Sequence, residues 1–457
     1  MTVAASDVRA ETRLLPIPRV PGHPVYGHLR SWQTDRTELQ LRLVREAPDI
    51  ARLRFGFIPA IVIGSPALAH EVLATKNHAF VKAPGLAIFL RPLLGNGLLT
   101  SEREVHAKQR KLLAPVFAHK RIASYAKTMA DRADAFAASA PGAGEIDVAG
   151  AMMHLTLEIV GKTLFDAEVG SDADEVGDAL TTAMQTAMDQ LGSLVPLPPA
   201  IPTPTNLKNR RAVARLDAVI YRIIRERRRE GGDRGDLLSM LLAARDEEGG
   251  TMDDRQIRDE AMTLFLAGHE TTANALAWTF YLLAKHPEAR AKMEAEVDAL
   301  GRVPSYDDLE QLPWTLAVLK ESMRLYPPAY ILGRRATEDV VIGEHRIRRG
   351  SIVMINVLGI HHRPDLYADP ARFDPGRFLG AADKQMPRCA YLPFGAGPRI
   401  CIGNHFALME AHVLLATIAR RLRFDLASEA QRERVRLEPL ITLRPLGGLP
   451  LRVIARA

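Results

Sequence analysis

Phe394-Gly395-Ala396-Gly397-Pro398-Arg399-Ile400-Cys401-Ile402-Gly403 is the stretch on which the reading of this 457-residue chain turns. A single cysteine stands between Gly397 and Gly403, where a backbone free of Cβ can turn sharply or approach a flat cofactor. The apolar pattern from about Gly403 to Arg421 predicts a helix directly after it, whose N–H groups and dipole favour thiolate over thiol. Arg399, two residues earlier, can pair with a carboxylate. The chain holds only one other cysteine, Cys389, so disulfide scaffolds and Cys-rich zinc or iron–sulfur sites are excluded. A lone thiolate of this kind suits haem iron, which takes one protein ligand on its proximal side.

The spacing Phe-x-x-Gly-x-Arg-x-Cys-x-Gly resembles the haem signature of the cytochrome P450 family at every fixed position. That resemblance implies a mainly α fold with a smaller β part, in one large catalytic domain over residues 15–457 after a flexible N-terminus, 1–14. It implies haem b with Cys401 as the metal ligand and Phe394, Gly397 and Gly403 shaping the loop. Cys389 matches nothing and reads as structural.

Working upstream, Ala267-Gly268-His269-Glu270-Thr271-Thr272 is similar to the family's oxygen-binding helix segment. Helical spacing groups Ala267, Gly268, Thr271 and Ala275 on one small-residue side, and the Thr271 hydroxyl can bond back to the Ala267 carbonyl. Glu270 adds an ionisable group in a dry region, so Glu270 and Thr271 are expected to act as catalytic proton relay. His269 reads as filler. The surrounding Ala261–Lys285 is apolar enough to suggest a membrane span, but a charge near its centre argues for a helix buried in the core.

Glu321 and Arg324 fit the family's Glu-x-x-Arg, and Phe373–Phe378 (FDPGRF) its Phe-x-Pro-x-Arg-Phe, with Gly376 where an acid is commoner. The resemblance implies a buried structural network of Glu321, Arg324 and Arg377. His106 and Arg110, four apart on a helical stretch, match the family's propionate-binding pair. Arg334 matches a third contact, with Arg335 as the competing choice, and Arg399 completes the set. The adjacent His361 and His362 diverge and are not read as a metal site.

Analogy places substrate contacts at Ile88, Phe89, Leu93 and Leu94; at Leu191, Leu194 and Val195; at Ala329, Ile331 and Leu332; and at Leu440 and Ile441. Such an apolar pocket fits a fatty acid, terpenoid, steroid or macrolide-like molecule. The expected reaction is insertion of one oxygen atom of O2. A peroxygenase or rearrangement enzyme is the alternative, and a haem sensor a more distant one.

No flavin or iron–sulfur module is recognisable, so electrons are expected from NAD(P)H through a reductase and a ferredoxin or flavodoxin. Lys108, Lys111, Lys120 and Arg121 could dock such an acidic partner. The net charge of +6 has no aromatic-interleaved basic groove to suggest nucleic acid, and Arg222–Arg229 reads as an exposed helix face. Met1–Arg13 lacks an apolar run, so neither signal peptide nor anchor is expected; a cytoplasmic monomer is the reading. Short strands are predicted near Ile50–Phe55, Ala60–Gly64 and Val340–Ile355 and over the last thirty residues, with helices over most of Pro66–Glu296. The Pro-rich Leu15–Gly27 should be extended.

Overall fold

The computed structural model describes residues 14–168, 173–191, 193, 197–244, 252–429, 431 and 435–456. The helices that frame the site are Pro84–Leu94 (α1), Arg103–Leu113 (α2), His119–Ser139 (α3), Val148–Phe165 (α4), Ala173–Leu191 (α5), Pro204–Glu230 (α6), Asp254–Lys285 (α7), Pro313–Leu325 (α8) and Asn404–Arg421 (α9). Pro84, Pro204 and Pro313 each occupy the first turn of a helix, where no N–H is required. Asp253 caps α7 by accepting from the Gln256 N–H. Apolar on nearly every side, α7 runs through the middle of the core, packed along α4 and touching α8 and α9.

Twelve strands accompany the helices among the described residues. They are Ile50–Phe55 (β1), Ile58–Ile63 (β2), Phe80–Lys82 (β3), Ala143–Asp147 (β4), Leu332–Ala336 (β5), Val340–Ile342 (β6), His345–Ile347 (β7), Ile352–Ile355 (β8), Leu422–Leu426 (β9), Leu437–Pro439 (β10), Leu443–Pro445 (β11) and Pro450–Ala455 (β12). The main sheet runs β1-β2-β8-β5-β3, and a second joins β4-β12-β9. The strand at β4 interrupts the region read as helical. It exists because β12, some 300 residues later, pairs with it, and such a contact leaves no local trace. The antiparallel register of β3 and β5 sets Lys82 opposite Arg334.

The first part of the Pro-rich start is extended and bonds to β1 through the Val20 N–H and the Arg52 carbonyl, but residues 24–26 turn back, closed by paired His23 and Gly27 bonds. Residues 1–13, most of the N-terminal segment read as flexible, lie outside the described residues. The arginine run at the end of α6 is only partly an exposed face. Arg227 is buried and bonds to Asp236, Ser239 and the Phe165 carbonyl, while Arg225, Arg228 and Arg229 face solvent. Of the described helices, α4 alone is long and apolar enough to cross a membrane, and 61% of it is buried within the fold.

Candidate active site

The cysteine loop is a set of tight turns that only glycine permits. Gly397 has φ +72°, and a Cβ there would sit 1.9 Å from the Leu73 carbonyl oxygen. The Cys401 N–H donates to the Phe394 carbonyl at 2.9 Å, and the Ile400 N–H to Gly397 at 3.0 Å. From the other side, Arg110 holds the Ile400 carbonyl at 2.7 Å. These bonds turn the Cys401 side chain away from the protein backbone, and it is exposed although α9 behind it is mostly buried. The expectation that the helix terminus alone would favour thiolate needs correction. Desolvation by the surrounding protein raises the thiol's pKa, and the Gly403 N–H and Arg110 offset this only in part. A bound cation is what would tip it to thiolate.

Beside the loop lies a concentration of positive charge. Arg334 on β5, Lys82 on β3, Arg110 on α2 and Arg399 gather near Glu102, which accepts from Arg399 and from the Lys82 backbone N–H; the Lys82 ammonium donates to the Leu98 and Ser101 carbonyls and also feels Glu260. Strand alternation turns Arg334 inward and leaves Arg335 exposed. Crowding has measurable consequences. Burial and Arg399 pull Arg334 down to about 10, and burial with Arg399 takes Lys82 to about 7. His106 is buried and held to about 4, first by desolvation and then by Lys82, Arg399, Arg110 and Arg334, so it is neutral at pH 7. The Nη1 atom of Arg399 is buried without a hydrogen-bond partner. Four basic side chains against Glu102 and the more distant Glu260, with an orphaned guanidinium nitrogen among them, fit a group that brings further negative charge. A haem with two propionates and an iron able to take the Cys401 sulfur meets that donor set. Lys82 and Glu102 were missed by the sequence reading, because neither falls at a diagnostic spacing; their register with Arg334 and their approach to Arg399 are tertiary.

On α7 the Thr271 hydroxyl donates to the Ala267 carbonyl at 2.7 Å, as its spacing predicts. Ala267 is exposed within this otherwise buried helix. Gly268 does not belong to that small-residue side. A Cβ on it would lie 3.0 Å from Val160, so its glycine serves the close approach of α4. Ala275 is buried in the core as well. Glu270 and Thr271 share no hydrogen bond among the described residues, since successive helical residues diverge by about 100°. The Glu270 carboxyl instead accepts from Thr442 at 2.6 Å, and the Thr442 oxygen accepts from Asn274 at 3.1 Å. Burial pushes Glu270 up to about 7, against the pull of Thr442. Thr442 and Asn274 are functional candidates that sequence missed, though the i+4 spacing of Asn274 from Glu270 was visible. Behind them opens a cavity of about 550 Å3 of mixed lining, in which Glu270, Asn274, Asp178, His154, Glu438 and Arg444 stand among Met153, Leu157, Leu180 and Met184. His269 is buried, neutral (held to about 4 by desolvation) and bonded to the Phe265 carbonyl.

Of the three residues expected to form a charge network, the fold brings Glu321 and Arg324 into contact and leaves Arg377 beside them. Glu321 and Arg324, both with no exposed side-chain surface, form a two-pronged ion pair at 2.7 and 2.8 Å. Arg324 also binds the carbonyls of His361, Pro370 and Arg372, and the Asp374 N–H donates to Glu321. Arg377 approaches Glu321 at 3.5 Å, too far for a hydrogen bond, and donates to the Asp369 carbonyl.

The residues suggested for substrate contact divide. Leu93 and Leu94 are fully buried in the helical core, so their apolar surface is spent on protein neighbours. Ile88 is 52% exposed, and Phe89, Ala329, Ile331, Leu332 and Ile441 are partly so, whereas Leu440 is buried. Leu194 and Val195 lie outside the described residues. Among the basic residues, Lys108, Lys111 and Lys120 are exposed, but Arg121 is committed to the Gly235 carbonyl.

The family model described as Cytochrome P450 matches residues 18–450. The chain is 38% identical to cyclooctatin synthase of Streptomyces melanosporofaciens, over 88% of each chain. It is 36% identical to cyclooctat-9-en-7-ol 5-monooxygenase of the same organism, over 88% of this chain and 87% of that one. The crystal structure of the cytochrome P450DA heme domain superposes with a TM-score of 0.87 at 31% identity, covering 97% of this chain and 98% of that one. With its Gly-rich cysteine loop, its anion-seeking cation cluster and these matches over nearly its full length, the chain belongs to the cytochrome P450 family and is a haem-dependent monooxygenase.

Proposed function

We propose that Cys401 would supply the thiolate ligand to the haem and that Arg110, Arg334, Arg399 and Lys82, with His106 as a neutral partner, would hold its propionates. The unpaired Arg399 Nη1 amid surplus cations carries this reading. Bound haem would supply dioxygen activation, so that RH, O2, two electrons and two protons give ROH and water. Ala267 and Thr271 would line the distal side, with Thr271 placing its hydroxyl oxygen toward incoming water and Glu270 holding an exchangeable proton near neutral pH. Phe394, Gly397 and Gly403 keep the thiolate loop in its turns, and Gly268 brings α4 close.

The substrate is a carbocyclic terpenoid or its alcohol. Support comes from the name of the 5-monooxygenase relative and from the mostly apolar set Ile88, Phe89, Ala329, Ile331, Leu332, Leu440 and Ile441. Electrons arrive from NAD(P)H through a separate ferredoxin or flavodoxin that docks on Lys108, Lys111 and Lys120. The chain works as a monomer in the cytoplasm.

Cys401→Ser tests the assignment. The variant should lose the strongly red-shifted Soret band of the reduced carbon monoxide complex; a band at its wild-type position would remove Cys401 as ligand.

A further inference from the structure

The polar surroundings of Glu270 go beyond what a relay acid requires. We propose that Thr442 is the positioning residue of the Glu270 acid, its hydroxyl aimed by Asn274 so that the carboxyl is held toward the cavity behind α7 and away from Thr271. This rests on the reading of Glu270 as a proton relay.

The direction of the bonds makes the case. Asn274 donates its amide N–H to the Thr442 oxygen, so the hydroxyl proton of Thr442 has Glu270 as its acceptor. All three side chains are buried. Thr442 itself is a fixed point. The turn that carries it is tied by the Leu443 N–H to the Pro328 carbonyl, by the Trp278 indole to the Leu443 carbonyl, and by the Tyr330 hydroxyl to the Leu440 carbonyl. The same turn contains Leu440 and Ile441, so one rigid segment joins the apolar pocket wall to the proton partner of the acid. Glu270 and Asn274 sit one helical turn apart on one face of α7, whereas Thr271 faces the Ala267 carbonyl. The charged and titratable groups facing Glu270 from the packed elements are Glu438 on β10, Arg444 on β11, Asp178 on α5, His154 on α4, Asp147 at the head of α4, and His269 on α7 itself. Arg444 and Glu438 are paired with each other at 2.6 Å, and Arg444 also reaches Thr181. None of these groups makes a hydrogen bond to the Glu270 carboxyl among the described residues. Thr442 is therefore its one hydrogen-bond partner among the described residues, and the carboxyl borders the cavity.

The test is pH-difference infrared spectroscopy of the holoenzyme. A carboxyl band titrating near pH 7 should be present in wild type and absent in Glu270→Gln, which assigns it. A donor to a carboxylate favours the ionised form, so Thr442→Val should raise the midpoint by about one unit. Thr442→Ser should restore it, and Asn274→Ala, which frees the hydroxyl to turn, should shift it the same way by less. An unmoved midpoint in Thr442→Val overturns the proposal. Should that variant not fold, an unmoved midpoint in Asn274→Ala does the same. The relay reading is tested apart from this, by the fraction of reducing equivalents that reach product in Glu270→Gln. A wild-type fraction would remove the relay, while a lowered fraction with an unmoved Thr442→Val midpoint removes only the role of Thr442.

Discussion

Two fully buried glutamates, Glu321 on α8 and Glu410 on α9, are provided for in opposite ways. Glu321 receives both prongs of Arg324, the Asp374 N–H and the nearby charge of Arg377. Among the described residues neither carboxyl oxygen of Glu410 has a hydrogen-bond partner, and burial pushes it up to about 8. The Thr272 hydroxyl near it pulls the other way but falls short of hydrogen-bond geometry and donates to the Gly268 carbonyl instead. The lesson is that burial alone does not say whether a carboxyl is a charged brace or a neutral filler. The count of donors decides it. Glu270 lies between these extremes, with one hydroxyl donor and a value near neutrality.

The sharpest way to break the comparison is Glu321→Ala. It strands the Arg324 charge in the interior and should cost about 3–5 kcal/mol, with failure to retain haem. Chemical denaturation and the yield of holoprotein measure this, and a stable, fully loaded variant would contradict a bracing role.

Glu410→Gln probes the neutral case. An unfolded Glu410 loses its proton near 4.5, while the folded one keeps it to about 8. Within that window the unfolded state binds fewer protons, so stability falls as pH rises, at about 1.4 kcal/mol per unit, and levels off above 8. Glutamine removes the titration. The variant should gain on wild type by about 2–3 kcal/mol between pH 6 and pH 8 in denaturant melts. Parallel stability curves for the two proteins would mean that Glu410 is ionised in the fold.

The smallest effect is expected from Arg377→Ala. Its guanidinium stands 3.5 Å from Glu321 and its Nε has no hydrogen-bond partner. Loss of about 1 kcal/mol is the expectation. A penalty equal to that of Glu321→Ala would make Arg377, rather than Arg324, the centre of the network.

Much of this site was legible before folding, where the chemistry is local in sequence. The turns around Cys401 need glycine at fixed places, and the Thr271 to Ala267 bond follows from helical spacing. Glu321 and Arg324 likewise meet across one helical turn. What escaped was carried by side chains that meet only through tertiary contact. Lys82 joins Arg334 through strand register, Glu102 meets Arg399 some 300 residues away, and Thr442 reaches Glu270 across 172 positions. The errors share this cause. Gly268 read as part of an oxygen-side surface because helical spacing cannot tell which neighbour each face meets, and that neighbour is Val160. Leu93 and Leu94 read as pocket wall because apolarity does not distinguish a cavity from a core.

By itself, then, the sequence determined the lone glycine-flanked cysteine, the turns around it and the Thr271 to Ala267 bond, since each depends on residues within a few positions of one another. Tertiary structure alone decided the electrostatics of the site: how many cations crowd Glu102, that His106 is neutral, and that Glu270 leans on Thr442. Desolvation and charge proximity are properties of packed neighbours, and a linear spacing does not contain them.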